Sequence, residues 1–299
     1  MTWSEDSIHR WLARGKTPRG LFGSRGHDAA VLRELGGKPV VCADQVVEGV
    51  HFLPSAPPRL VGRKVALRAL SDLAPTAALP RALLCTAAVS MRRDERWLRA
   101  VLAGVRSAAR EHGADHVGGD LSITRGRAVI AVTALGAFLG RGRPPGRDRA
   151  RAGQSLVLTG PVGGSLLGRH LRIVPRLAEG RALFERGATA MMDVSDGLAW
   201  DLFRLARASK VAIELDLGAI PIHADARRRA RASGRSALDH ALHDGEDHEL
   251  VALLAPRAAR ASGCAVVGRV ARGTGLVLVH ADGRRERWTH ARGGFEHGR

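Results

Sequence analysis

The 299-residue sequence predicts a two-domain α/β protein. Three observations lead there. The length exceeds the roughly 100–200 residues of one ordinary domain. Short apolar runs alternate with segments of helical periodicity along the whole chain. A stretch rich in Arg, Pro and Gly, residues 141–153, interrupts that alternation near the middle. The expected organisation is residues 1–140, a linker over 141–153, and residues 154–299, giving two units of similar size.

Each element has its own reason. Thr2 and Glu5 stand at capping-box spacing, and Ile8, Trp11 and Leu12 recur at helical intervals, which predicts a helix from about Ser4 to Arg14. The run Pro39 to Ala43 reads as a strand, 59–74 and 94–112 as helices, and 128–139 as a further strand. Past the linker, strands are expected at 155–159, 190–194, 211–215, 249–254, 265–270 and 275–280. Helices are expected near 164–171, 175–187, 197–208 and 224–233. No short tandem repeat of the solenoid kind is present.

Composition excludes several classes. The longest largely apolar stretch, 128–140, falls short of the roughly 20 residues that cross a bilayer, and Met1-Thr2-Trp3-Ser4-Glu5-Asp6 lacks a basic segment followed by an apolar one. Cys42, Cys85 and Cys264 are odd in number and scattered, so they build neither a disulfide framework nor a zinc knuckle. A cytoplasmic protein with no membrane partner is the expectation. The net charge of +18 raises nucleic acid as a partner. Yet Lys16, Lys38, Lys64 and Lys210 are the only lysines among 47 basic residues, as expected where coding bias favours Arg, and neither dense basic stretch (141–151, 227–231) interleaves stacking aromatics. Nucleic-acid binding without catalysis is therefore the less favoured reading.

Familiar catalytic signatures are missing. Gly15-Lys16-Thr17 resembles the end of a phosphate-binding loop, but Arg10 stands where the first Gly is needed. No dinucleotide-binding glycine pattern follows a predicted strand. What stands out is Asp beside Gly at the ends of apolar runs: Gly26-His27-Asp28, Val40 to Asp44, Val117-Gly118-Gly119-Asp120, Met191 to Gly197, and Gly245-Glu246-Asp247. A turn or N-cap role accounts for any one of them. Five together are better explained by convergence on one sheet edge, where like charges are costly unless a cation neutralises them. Hard oxygen donors suit Mg²⁺, which usually brings phosphates, so a metal-dependent phosphoryl-transfer site is the leading inference from the residues.

The wording of these segments carries a resemblance. Gly26 to Leu32, Ala43 to Phe52 (A-D-Q-V-V-E-G-V-H-F), Ala69 to Ala74, Gly118 to Asp120, Asp193 to Leu198 (D-V-S-D-G-L) and Asp244 to Leu250 (D-G-E-D-H-E-L) resemble, in order, the motifs of the thiamine-monophosphate kinase family. That family is part of a superfamily with aminoimidazole-ribonucleotide synthase, selenophosphate synthetase and a hydrogenase-maturation protein. The resemblance implies a two-domain aminoimidazole-ribonucleotide synthase-like fold and a homodimer whose N-terminal sheets join into a barrel. It also implies Mg²⁺-dependent transfer of the γ-phosphoryl group of ATP to thiamine monophosphate.

By position, the resemblance makes Asp28, Asp44, Asp72, Asp120 and Asp193 metal ligands, with Asp196 a further metal or water contact. Gly119, Asp120, Arg147 and Ser195 fall at nucleotide positions, and His51 and Glu246 at thiamine-phosphate positions. No catalytic base is expected, because a phosphate monoester with its second pKa near 6 is already an oxyanion at neutral pH. The chain departs from the family at three points: His27 replaces the first of two adjacent Asp, Ala43 replaces a hydroxyl residue, and Arg292 stands at an expected aromatic. The last leaves a paralogue acting on another small phosphate or carboxylate as the alternative acceptor reading.

Overall fold

The computed structural model describes residues 34–289 together with Ile8, Trp11 and Leu32. Of the helix expected from Ser4 to Arg14, Ile8 and Trp11 are described, both helical; His27, Asp28 and Arg292 lie outside the described residues. The chain divides into two compact units, one of residues 1–73 and 78–139, the other of residues 74–77 and 140–299.

The first unit is a four-stranded sheet under two helices. Its strands are β1 (Lys38–Val47), β2 (Ala78–Ser90), β3 (Asp115–Thr124) and β4 (Val129–Phe138), in the order β1-β4-β2-β3. Only β2 and β3 run parallel, joined by the crossover helix α2 (Glu95–Glu111), which Asp94 caps by accepting from the Trp97 N–H at 2.8 Å. Helix α1 (Pro58–Ser71) lies beside α2. The two meet backbone to backbone: a Cβ at Gly104 would sit 2.2 Å from the Arg59 carbonyl oxygen, and one at Gly62 would sit 1.9 Å from that of Val101. Residues of alternate parity on β1 divide cleanly, with Cys42, Asp44 and Val46 toward the helices and Val41, Ala43 and Gln45 exposed.

The second unit holds β5 (Ser155–Leu158), β6 (Ala190–Asp193), β7 (Ala212–Asp216), β8 (Leu250–Leu254), β9 (Ala265–Ala271), β10 (Gly275–Val279) and β11 (Arg285–Arg287) in one mixed sheet, ordered β11-β10-β7-β9-β5-β8-β6. Its helices are α3 (Leu177–Glu185), α4 (Leu198–Ser209), α5 (Ala224–Ser233), α6 (Ala237–His243) and α7 (Pro256–Arg260). Leu202, Leu205, Ile213, Leu253, Leu276 and Trp288 are central to its larger core. Residues 141–153 are laid down on this unit: Gly146 N–H donates to the Thr189 carbonyl, Ala150 N–H to Ser209 Oγ, and Ala150 is buried.

The mixed α/β fold is as expected, while several elements differ from the sequence reading. Strands β2 and β3 were not expected, and β1 extends beyond Ala43 to Val47. The helix expected near 164–171 is instead two 3₁₀ turns, Ser165–Leu167 and Arg169–Leu171, because Gly168 between them has φ +114°. No helix among the described residues is long and apolar enough to cross a membrane.

Candidate active site

In the first unit, Asp44 sits near the end of β1, where Arg68 of α1 donates to its Oδ1 from Nη2 at 3.1 Å and from Nε at 3.3 Å. Asp72 follows α1 directly, half-buried at its C-cap. Asp120 is exposed on β3, opposite Thr86 of β2. Beside it, Gly119 comes so close to β2 that a Cβ would lie 1.7 Å from the Cys85 carbonyl oxygen, so only Gly fits. The ladder partners place Asp44 and Asp120 in neighbouring rows, yet on opposite edge strands of the sheet. The single-edge convergence expected from the sequence is therefore not what this unit shows.

The turn after β1 is held from within. His51 is buried; its Nδ1 accepts from the Val47 N–H at 3.1 Å, and its carbonyl accepts from Lys64 Nζ at 2.7 Å. Lys64 is fully buried on α1. Sequence reasoning passed over it, although one of four lysines in so arginine-rich a chain marks a position that suits a compact ammonium better than a planar guanidinium.

In the second unit, Asp193 ends β6 and is buried, with His248 Nδ1 3.2 Å from its Oδ2. Asp196 pairs with Arg204 at 2.5 Å. The intervening loop is organised by a residue the sequence reading missed. Asp201, in the first turn of α4, accepts the Ser195 and Asp196 N–H groups on Oδ2 at 2.9 and 3.0 Å. Burial, then the charges of Asp196 and Asp193, push the Asp201 carboxyl up to about 8, against the pull of those two N–H donors. The signal was an acid in the first helical turn after an Asp-Gly loop, spacing that lets a side chain fold back on exposed amides.

The segment Gly245 to Glu249 packs on that loop. Glu246 N–H donates to the Ser195 carbonyl at 2.7 Å and His248 N–H to that of Val194 at 2.8 Å, and both Glu246 and His248 adopt positive φ. Glu246 and Asp247 line a small cavity of about 160 Å³ with Arg169, Arg172, Arg176 and His223. Asp247 Oδ1 accepts from Arg169 Nη2 at 2.7 Å and Gly163 N–H at 2.9 Å. Burial outweighs both and pushes its carboxyl up to about 6. Glu249 is held by Arg176 and by Thr159 Oγ1. Arg147 is exposed and meets Ser209 through its carbonyl. Among the described residues, no three His, Cys, Asp or Glu side chains are gathered as a metal-holding group.

Two family models match the chain: AIR synthase related protein, N-terminal domain, over residues 26–138, and AIR synthase related protein, C-terminal domain, over residues 151–281. The thiamine-monophosphate kinase of Rhodopirellula baltica is 37% identical over 244 residues, 78% of this chain and 76% of that protein. The one from Mycobacterium tuberculosis is 35% identical over 298 residues, 93% of this chain and 87% of its own length. Among solved structures, thiamine-monophosphate kinase from Stenotrophomonas maltophilia K279a aligns with TM-score 0.79 at 30% identity, covering 95% of this chain and 98% of that one. AaThiL complexed with AMPPCP and TMP aligns with TM-score 0.78 at 27% identity, covering 98% and 95%. Motifs in order, both domain models and relatives matched over most of their length agree: the chain belongs to the thiamine-monophosphate kinase family, among the AIR synthase related proteins.

Proposed function

We propose that this protein transfers the γ-phosphoryl group of ATP to thiamine monophosphate, giving thiamine diphosphate and ADP. The observation that carries this reading is similarity of 35–37% identity to thiamine-monophosphate kinases across most of both chains. In the reaction, a phosphate oxygen of the acceptor bonds to the γ-phosphorus as the bond from that phosphorus to the β–γ bridging oxygen breaks, and the electron pair leaves with ADP. The acceptor oxygen is already ionised at neutral pH, so no side chain has to remove a proton. Positioning and charge neutralisation are what remain for the protein.

The donor chemistry fits a hard divalent cation. Burial first, and then the charges of Asp196 and Asp193 near the end of β6, hold Asp201 protonated, and a cation at those two carboxylates would relieve their share of the repulsion. Asp44, Asp72, Asp120, Asp193 and Asp196, with Asp28 outside the described residues, are the ligands this reading assigns. Bound Mg²⁺ would cancel the repulsion between two polyanions. Gly119 lets a phosphate approach backbone, Arg147 and Ser195 contact the nucleotide, and His51 and Glu246 address the thiamine phosphate. A homodimer built on the exposed face of the first sheet, where Val41 is 68% exposed, and residence in the cytoplasm complete the reading.

Chromatography of an incubation with ATP, Mg²⁺ and thiamine monophosphate should show thiamine diphosphate. ADP release with another small phosphate or carboxylate, and none with thiamine monophosphate, would replace the acceptor.

A further inference from the structure

A cavity of about 570 Å³ lies at one end of the first sheet. The ladder creates it from segments distant in sequence. Ser90 at the end of β2 lies opposite Thr124 at the end of β3, and Ala88 lies opposite Val129 at the start of β4. This brings Arg92 and Arg93 beside the β3–β4 hairpin residues Arg125 and Arg127, with the turn after β1 closing the cavity through Glu48 and Gly49.

The charges do not cancel. Glu48 is the cavity's one carboxylate, and it is already committed: Ala128 N–H donates to Oε2 at 3.0 Å and Arg93 pairs with Oε1. Although burial opposes ionisation, these donors hold Glu48 below the usual carboxylate range. Arg93 is further fixed by the Pro54 carbonyl at 2.8 Å and by the Trp97 ring, 4.9 Å from its Cζ. Arg92 acts on Glu48 through its charge alone, and Arg125 and Arg127 form no ion pair with a carboxylate among the described residues. Some arginines elsewhere have counter-charges of their own, as in Arg63–Glu111, Arg176–Glu249 and Arg285–Glu214. Four guanidinium groups around one carboxylate leave this concavity with an excess of positive charge.

We infer that this cavity binds a compact polyphosphate anion, with Arg92, Arg125 and Arg127 as its donors and Arg93 as a fixed wall. Planar guanidinium groups match phosphate oxygens in pairs, and three of them balance the charge that a diphosphate carries near neutral pH. The diphosphate can be free or part of an ester.

Calorimetric titration of the full chain with inorganic pyrophosphate, at physiological salt with EDTA, tests this. Without a divalent cation, clustered carboxylates repel the anion, so binding reads the arginine cavity. The double variant Arg125→Glu/Arg127→Glu should bind at least about ten-fold more weakly than wild type. Arg257→Glu/Arg260→Glu on α7 makes the same change in net charge and should stay within about two-fold. Arg92→Ala, at an exposed side chain, should lose several-fold and covers failure of the double variant to fold. Orthophosphate should bind at least about ten-fold more weakly than pyrophosphate, and a thiamine diphosphate arm distinguishes ester from free anion by which binds tighter. No wild-type binding, equal loss in both charge variants, or orthophosphate binding as tight as pyrophosphate would overturn the inference. So would short duplex DNA that displaces pyrophosphate at equal or lower concentration, which would reassign the cavity to nucleic-acid backbone.

Discussion

Asp247 couples protonation to folding with a definite sign. Its folded pKa of about 6 lies above the unfolded value near 4, so its contribution to stability is complete below pH 4 and is lost as pH rises through 6. Asp247→Asn keeps an acceptor for Arg169 and Gly163 but cannot ionise. The melting temperature of wild type relative to this variant should therefore fall between pH 5 and pH 7, and parallel profiles would refute the coupling. Asp120 is a different case, exposed on the edge strand β3. Asp120→Asn should change stability by no more than about 0.5 kcal/mol yet lower turnover about 10²–10³-fold. Near-normal turnover at saturating Mg²⁺ would remove Asp120 from the metal set. Both residues were legible as acids beside glycine; Asp201 and Lys64 were not, because their task is to hold backbone rather than to face a ligand.

The loop between β6 and α4 depends on one side chain. Asp201→Ala leaves the Ser195 and Asp196 amides without their acceptor, a loss of about 1–3 kcal/mol on urea denaturation, whereas Asp201→Asn, close in shape to the protonated acid, should lose far less. Equal losses would mean that the oxygen does not anchor the loop. The contact between α1 and α2 is equally specific, and Gly104→Ala should cost about 1–3 kcal/mol, since the new methyl meets backbone that cannot rotate away. Strands with β-branched runs, such as β4 (V-I-A-V-T-A-L-G-A-F), were readable from sequence. Strand β2 (A-L-P-R-A-L-L-C-T-A-A-V-S) was not: its alanines and leucines suit a helix, and burial at the centre of the sheet decides the matter. Strand β3 contains Gly-Gly-Asp, which local propensity rejects and pairing with β2 enforces.

At the level of the assembled chain, the exposed face of the first sheet predicts two copies in solution. Val41→Asp should shift the mass measured by light scattering toward a single chain, while an unchanged mass would place the interface elsewhere. Net charge was a weaker guide, because a sum of +18 does not show that four arginines gather around a single carboxylate at one end of the first unit. That gathering was invisible in the sequence, where Arg92 and Arg125 are far apart and neither falls in a dense basic run.

The strand order of the first unit also has a temporal side. Strand β1 is an edge, and its ladder partners on β4 lie roughly eighty to a hundred positions downstream. Closing so long a loop is entropically costly, whereas β2, α2, β3 and β4 follow one another directly and can form a nucleus without it. The edge strand should therefore dock late in folding and open first in the native state, its amides exchanging with solvent faster than those of β2. Since β1 carries Asp44 and leads into the turn of His51, substrate that touches them should slow this exchange, tying ligand binding to the last step of assembly.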